Sequence, residues 1–177
     1  TCALPISHNI LESSKWFDRD IKVIASIRDI PGIMASWATL YKNDHPHCSQ
    51  SVIDRFLFHM WSDHTKPYVD SFIKMKREAG DRVLFFSYDD IVSKPWDHFT
   101  QIEDFLDLPR FRYDLENIQG EFQDSNIIPG GFKDLHKIRP KYEKVSVPPE
   151  QALGPKLYKK FSDLDEKFKS ELYHGNY

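Results

Sequence analysis

The chain has few cysteines, no long apolar run and little net charge. Two cysteines in 177 residues argue against a disulfide framework and favour a reducing, cytoplasmic location. No apolar run approaches the roughly 20 residues that span a bilayer, so no membrane segment is predicted. A formal net charge of −3 gives no global attraction to nucleic acid, and no nucleic-acid partner is expected. Any anion-binding site must therefore be formed by a local cluster of basic side chains.

The chain also lacks an initiating methionine and begins with TCALPIS. The residues Thr1 to Ile6 can be written ACG TGT GCT CTT CCG ATC, the reading of a common sequencing adapter, with Ser7 across the junction. We therefore expect residues 1–7 to be a non-native leader on an open reading frame that is cut at its 5′ end. Residues 8–177 would then form the C-terminal portion of a single domain.

The composition, 40% hydrophobic and 14% aromatic, is sufficient for one packed core. Two segments, IKVIASIR (Ile21 to Arg28) and RVLFFSYDD (Arg82 to Asp90), are almost continuously apolar, which is typical of parallel strands covered on both faces. Helical spacing follows the first strand from Pro31, and the order strand, helix, long helix, strand, helix predicts an α/β fold. Two parallel strands are too few for a finished sheet.

Three further helices are predicted. The first starts at a Ser51 cap, is kinked or broken near Pro67 and stops at Gly80. The next has one face that we expect to be core, formed by Trp96, Phe99, Ile102, Phe105 and Leu106. The last lies in PPEQALGPKLYKKFSDLDEKFKSEL, after a loop that is rich in glycine and proline.

The segment SIRDIPGIMASW contains a candidate phosphate site. Arg28 ends the first strand, and Ser36 follows eight residues later in the first turns of the next helix. A guanidinium offers a planar fork to phosphate oxygens, a hydroxyl adds a donor, and a helix N-terminus adds backbone N–H groups. The alternative is a surface Arg28–Asp29 pair with Ser36 as a neutral helix residue.

A second segment, VLFFSYDDIVSKPWDHFTQIEDFLDL, resembles a sulfotransferase pattern when it is read together with Arg28, Asp29 and Ser36. In that family a strand ends in Tyr-Glu-Asp-Leu, and a helix ending in Phe-Leu-Gly-Leu follows. The resemblance covers about Lys22 to Leu108. Three positions depart from the family pattern: Ile30 stands where proline is frequent, Asp89 replaces glutamate, and Asp107 replaces glycine.

The resemblance implies a P-loop NTPase-like three-layer α/β/α fold with a parallel sheet, incomplete at its N-terminus. It also implies transfer of a sulfuryl group from 3′-phosphoadenosine 5′-phosphosulfate, without a metal, to a hydroxyl or amine of a small molecule, carbohydrate or peptide. By resemblance, Arg28 and Ser36 hold the 3′-phosphate of the donor and Tyr88 packs near its adenine. The Gly-rich loop that binds the 5′-phosphosulfate is missing, so we expect the fragment itself to be inactive.

Two other parts of the chain are candidates for the same site. His8 lies 20 residues before Arg28. In the cytosolic branch of the family the catalytic base is a histidine at a similar sequence separation, so the resemblance makes His8 a candidate base. In the basic segment GGFKDLHKIRPKYEK, Lys137 and Arg139 are the expected contacts to the donor nucleotide; a solvated basic loop is the alternative.

No metal site is predicted. The run HPHC, from His45 to Cys48, has no matching second pair of ligands, and the Asp89–Asp90 pair is explained by chemistry at the end of a strand. Two other functions stay open. One is a noncatalytic α/β binding module, and the other is a P-loop kinase-like phosphotransferase that would use Asp89 or Asp90 to hold magnesium.

Overall fold

The computed structural model describes residues 21–119, 139–143 and 147–174. Strands and helices alternate in the order of an α/β protein. In chain order they are β1 (Val23–Ile27), α1 (Ile30–Asp44), α2 (Gln50–His59), a π-helical turn (Met60–Thr65), α3 (Lys66–Ala79), a 3₁₀ turn (Gly80–Arg82), β2 (Val83–Ser87), α4 (Tyr88–Ser93), α5 (Pro95–Phe105) and α6 (Pro149–His174), which is kinked at Gly154. No helix in these ranges is long and apolar enough to span a membrane.

The two strands pair in parallel, as predicted. Val23 lies opposite Val83, and Ile27 lies opposite Ser87. A parallel pair requires a crossover connection, which α1 to α3 supply here. Within the described residues the sheet consists of these two strands.

Helices contact β2 on both of its faces. The ring of Phe85 packs against Phe72 of α3, and the ring of Phe86 packs against His98 of α5, with centroid separations of 6.0 Å in both cases. Because consecutive side chains of a strand point to opposite faces, α3 and α5 lie on opposite sides of this strand. The predicted coverage of both faces is therefore found at β2.

Strand β1 is covered on one face only in the described part of the chain. Ala25 and Ile27 are buried, whereas Ile24 and Ser26, which alternate with them, are exposed. The apolar run from Ile21 to Arg28 predicted two covered faces, and among the residues that the structure describes only one is found for β1. An unbroken run of branched residues indicates a strand, but it does not distinguish one covered face from two.

The core lies mainly between α1, α3 and α6. Helix α1 packs more extensively against α6 than against any other element of the described chain. Each large apolar side chain buried there contributes about 1.5–3 kcal/mol relative to exposure. The largest fully buried side chains are Phe161, Ile30, Met34, Leu57 and Leu172.

The long helical segment is interrupted just before Pro67, as predicted. The interruption is a π-helical turn in which the Lys66 N–H donates to the carbonyl oxygen of Trp61, five residues earlier. Pro67 has no N–H to continue the regular pattern, and because the residues before it are also helical, the π-helical turn accommodates the missing donor. The cap is Ser49 rather than the predicted Ser51. Gly80 ends α3 with a positive φ of 59°.

The core face predicted for α5 is partly wrong. Trp96 is 51% exposed, and the fully buried residue of this helix is Glu103. The carboxylate of Glu103 accepts hydrogen bonds from the Phe111 N–H at 2.9 Å and from Arg110 at 3.3 Å. These partners belong to the segment that follows the helix, so periodicity within the helix could not reveal them.

Helix α5 ends in a Schellman motif. The Leu108 N–H donates to Glu103 O at 2.8 Å, and the Asp107 N–H donates to Asp104 O at 3.3 Å. Asp107 has φ 56°, a left-handed conformation that normally favours glycine. Lys22 contacts this end of the helix through Phe105 O at 2.6 Å and Asp107 Oδ2 at 2.7 Å.

We predict that Asp107→Gly is more stable than Asp107→Ala by about 1 kcal/mol, because alanine keeps the left-handed strain that glycine relieves. Both variants lose the ion pair with Lys22, so the difference between their free energies of unfolding reports only the backbone strain at position 107. Urea unfolding of the two proteins measures the difference. Equal stabilities would show that the left-handed conformation costs nothing at this position.

We predict that Glu103→Gln lowers the free energy of unfolding near neutral pH and weakens its dependence on acid. The hydrogen bond from the Phe111 N–H lowers the pKa of Glu103 below its ordinary value of 4.5, against the opposing effect of burial, and Tyr113 and Arg110 lower it further. Because the pKa is lowered on folding, the stability it adds is present above about pH 4.5 and is lost as the pH falls through the folded pKa.

Urea unfolding from about pH 7 to about pH 3 should show the two proteins converging in stability on acidification. The matched control is Glu166→Gln, which changes an exposed carboxylate on α6. A constant difference between wild type and Glu103→Gln across this range would contradict the assignment.

Candidate functional site

The pairing of the strands brings Arg28 and Tyr88 together. Each residue directly follows the last pair of the ladder, Ile27 with Ser87. The Arg28 Cζ lies 5.0 Å from the centroid of the Tyr88 ring, and both residues are half-buried. A guanidinium against the face of a tyrosine forms a cation–π contact, which fixes the plane of the fork and leaves its edges for acceptors.

Tyr88 begins a helix rather than ending a strand. The predicted strand ran to Asp90, but β2 ends at Ser87, whose side chain accepts a hydrogen bond from the Asp90 N–H at 3.4 Å. Asp89 and Asp90 therefore lie in the first turn of α4, where negative charge is favoured by the helix dipole. This accounts for the acidic pair structurally.

Within the described residues no three His, Cys, Asp or Glu side chains converge as metal ligands.

The turn after Arg28 is crowded. The Asp29 side chain caps α1 by accepting from the Gly32 N–H at 3.1 Å. A Cβ placed on Gly32 would lie 2.5 Å from Asp29 Oδ1 and 3.0 Å from Arg28 Nε. Glycine at this position therefore leaves room for both the cap and the Arg28 side chain.

The backbone amides at the start of α1 are already engaged, which corrects one part of the predicted phosphate site. The Ile30 N–H donates to Asp165 Oδ1 at 2.9 Å, and the Gly32 N–H donates to Asp29. Pro31 has no N–H, and the Ile33 N–H donates to Asp29 O at 3.0 Å. The helix N-terminus was expected to supply backbone donors to an anion, but carboxylates and a carbonyl of the chain occupy them.

Ser36 lies on α1 and is half-buried. It is six residues beyond the start of the helix, which corresponds to about 9 Å along the axis. No hydrogen bond joins Ser36 to Arg28 in the described part of the chain. Their shared role in holding phosphate stays a prediction.

The buried carboxylate of Asp165 was missed in the sequence. It belongs to α6, and its second oxygen pairs with Lys169 Nζ at 2.7 Å. Burial alone would lower the pKa of Lys169, but the hydrogen bond to Asp165 and the attraction of Asp165 and Asp29 raise it. The signal was the position of Asp165 on the apolar face of its helix, four residues after Phe161 and three before Phe168.

Tyr142 was also missed. Its hydroxyl donates to Ile91 O of α4 at 3.3 Å, and its ring packs against Phe99 of α5. Burial raises the pKa of Tyr142, and the nearby Tyr88 hydroxyl raises it further. The short segment 139–143, which contains Arg139, is thus anchored beside the helix that begins at Tyr88. Arg139 itself is exposed.

Two predicted site residues, His8 and Lys137, lie outside the described residues. Of the others, the structure brings Arg28 and Tyr88 into contact, places Ser36 on the adjoining helix, and holds the Arg139 segment against α4 through Tyr142.

Comparison with known proteins gives one match. The family model described as sulfotransferase domain matches residues 5–126, which is more than half of the chain. The match includes Arg28, Ser36 and Tyr88 and ends before Lys137 and Arg139. No curated protein and no solved structure was found to match the chain.

We predict that the effect of Gly32→Ala on stability depends on Asp29. Alanine should gain about 1 kcal/mol of helix propensity, but its Cβ displaces the Asp29 cap, which is worth about as much, so the single change should be nearly neutral. In an Asp29→Ala background the contact with the carboxylate is gone, so the same change should be more favourable than in wild type by about 1 kcal/mol, although Arg28 Nε, 3.0 Å from the added Cβ, must still shift. A double-mutant cycle by urea unfolding measures the coupling, and strict additivity would contradict the crowding.

Proposed function

Since the chain belongs to the sulfotransferase domain family, we propose that this domain serves the transfer of a sulfuryl group from 3′-phosphoadenosine 5′-phosphosulfate to a hydroxyl or amine of an acceptor, and that these 177 residues, in which the Gly-rich phosphosulfate loop is not recognised, bind the donor without turnover. The acceptor would be a small molecule, a carbohydrate or a peptide. The observation that carries the proposal is the contact of Arg28 with Tyr88 at the end of the paired strands. A chain with two cysteines, of which Cys48 is free, suits a cytoplasmic setting.

The residues present fit the 3′-phosphate and adenine of such a donor. No carboxylate of the described residues forms an ion pair with Arg28, so its fork is available to a phosphate. The Ser36 hydroxyl would supply a further donor from α1. Tyr88 offers an aromatic ring next to that fork, which suits a nucleotide that carries both a phosphate and a planar base.

The proposal assigns the remaining predicted residues to the rest of the donor and to the reaction. Lys137 and Arg139 would contact the donor from the basic segment, with Arg139 supported by the anchoring of Tyr142 on α4. His8 is the candidate base, which would remove the proton of the acceptor hydroxyl. The donor supplies the sulfuryl group. The protein binds, orients and neutralises charge, as in phosphoryl transfer.

A binding experiment on the 177-residue chain tests the proposal without requiring turnover. Adenosine 3′,5′-bisphosphate should bind more tightly than adenosine 5′-monophosphate, in the absence of magnesium, when both are titrated by calorimetry. Arg28→Ala should weaken binding of the bisphosphate about 10- to 100-fold, because a charged hydrogen-bonding partner of the phosphate is lost. Arg55→Ala, which removes an exposed arginine of α2, is the matched control.

The other outcomes identify the rival functions. Binding of ATP that requires magnesium would favour a kinase-like phosphotransferase. Binding of none of these nucleotides would favour a noncatalytic module. An Arg28→Ala protein that binds the bisphosphate as tightly as wild type does would remove Arg28 from the site.

A further inference from the structure

The C-terminal helix places a carboxylate in the interior, at the start of α1. Asp165 is 7% exposed and lies on the face of α6 that also carries the buried residues Phe161, Phe168 and Leu172. A charged group on such a face is costly unless it is paired and hydrogen-bonded. Its partners therefore indicate what it does.

Both oxygens of Asp165 have a partner. Oδ1 accepts from the Ile30 N–H at 2.9 Å, across 135 residues of sequence, and Oδ2 pairs with Lys169 Nζ at 2.7 Å. The first bond fixes the backbone of α1 at its first residue. The second balances the charge of the carboxylate, so that a negative group near this turn does not repel an anion bound beside it.

The residue held in this way lies two positions after Arg28. Asp29 lies between them, caps the same turn through the Gly32 N–H, and attracts Lys169 of α6. The backbone of residues 28–32 is therefore fixed by Asp29 from within the turn and by Asp165 from the far end of the chain. The direction in which Arg28 leaves that backbone depends on both.

We propose that Asp165, supported by Lys169, is a positioning residue that holds the turn carrying Arg28 in the orientation needed to bind the 3′-phosphate of the donor nucleotide. This inference rests on the proposed function. An apolar side chain in place of Asp165 would fill the core as well. Only a hydrogen-bond acceptor also fixes the Ile30 amide and, through it, the turn.

The test compares two nucleotides that differ only in the 3′-phosphate. Calorimetry on the full 177-residue chain gives the affinities for adenosine 3′,5′-bisphosphate and adenosine 5′-monophosphate, and their ratio measures recognition of that phosphate. Asp165→Ala should reduce the ratio about tenfold, whereas the affinity for the monophosphate should change by less than about twofold. Asp165→Asn keeps an oxygen for the Ile30 N–H but loses the charge that faces Lys169, so it should reduce the ratio only about threefold.

The matched control is Asp163→Ala, which removes an exposed carboxylate of the same helix, one that pairs with Lys159. It should leave the ratio unchanged. Urea unfolding of each variant separates stability from recognition, because a purely structural role would lower the unfolding midpoint without changing the ratio in folded protein. If Asp165→Ala does not fold, the affinity ratio measured for Asp165→Asn tests the positioning role instead.

The outcomes for the two proposals are distinct. If wild type discriminates between the nucleotides and the folded Asp165 variants discriminate equally well, the positioning role is overturned and the proposed function stands. If wild type itself binds both nucleotides with the same affinity, the 3′-phosphate site is absent and both proposals fail. A graded loss of the ratio, larger in alanine than in asparagine, supports the positioning role.

Discussion

The parallel register of β1 and β2 is the constraint on which the rest of the site depends. Ile27 lies opposite Ser87, so the next residue of each chain segment, Arg28 and Tyr88, leaves the sheet at the same edge. A slip by one residue would turn every side chain of a strand to the other face and separate the two. The buried side chains of Ala25 and Ile27 fix that register, because only one alternation places them in the core.

Two of the three departures from the sulfotransferase pattern, Asp107 and Asp89, have physical accounts in this chain. Asp107 occupies the left-handed position at the end of α5 for which the family uses glycine. Aspartate tolerates this conformation better than most residues do, and Lys22 pairs with its carboxylate while donating to the Phe105 carbonyl. Asp89 at the start of α4 keeps the acidic character that a first helical turn favours.

Sequence reasoning found what depends on local pattern and missed what depends on distant partners. The two strands and α1 with Pro31 in its first turn follow from periodicity. Arg28 and Tyr88 were assigned to one donor site by the resemblance, and the contact between their side chains was not predicted. The burial of Glu103 depends on donors from beyond the helix, and the cap on Ile30 comes from Asp165, 135 positions away. A polar residue on an apolar helix face indicates a buried hydrogen bond or ion pair, but the sequence does not identify its partner.

The occupied amides of α1 change how an anion would be recognised at this edge. Asp29 and Asp165 accept hydrogen bonds from the first turn, and Lys169 pairs with Asp165. A phosphate with a charge near −2 needs more cation than Arg28 alone supplies. In the proposed site Arg139 would add it, from a segment that Tyr142 anchors on α4. In the proposed site the anion would therefore be bound by side chains rather than by the backbone amides of a helix N-terminus. These side chains are Arg28 after β1, Ser36 on α1 and Arg139 in the segment after α5.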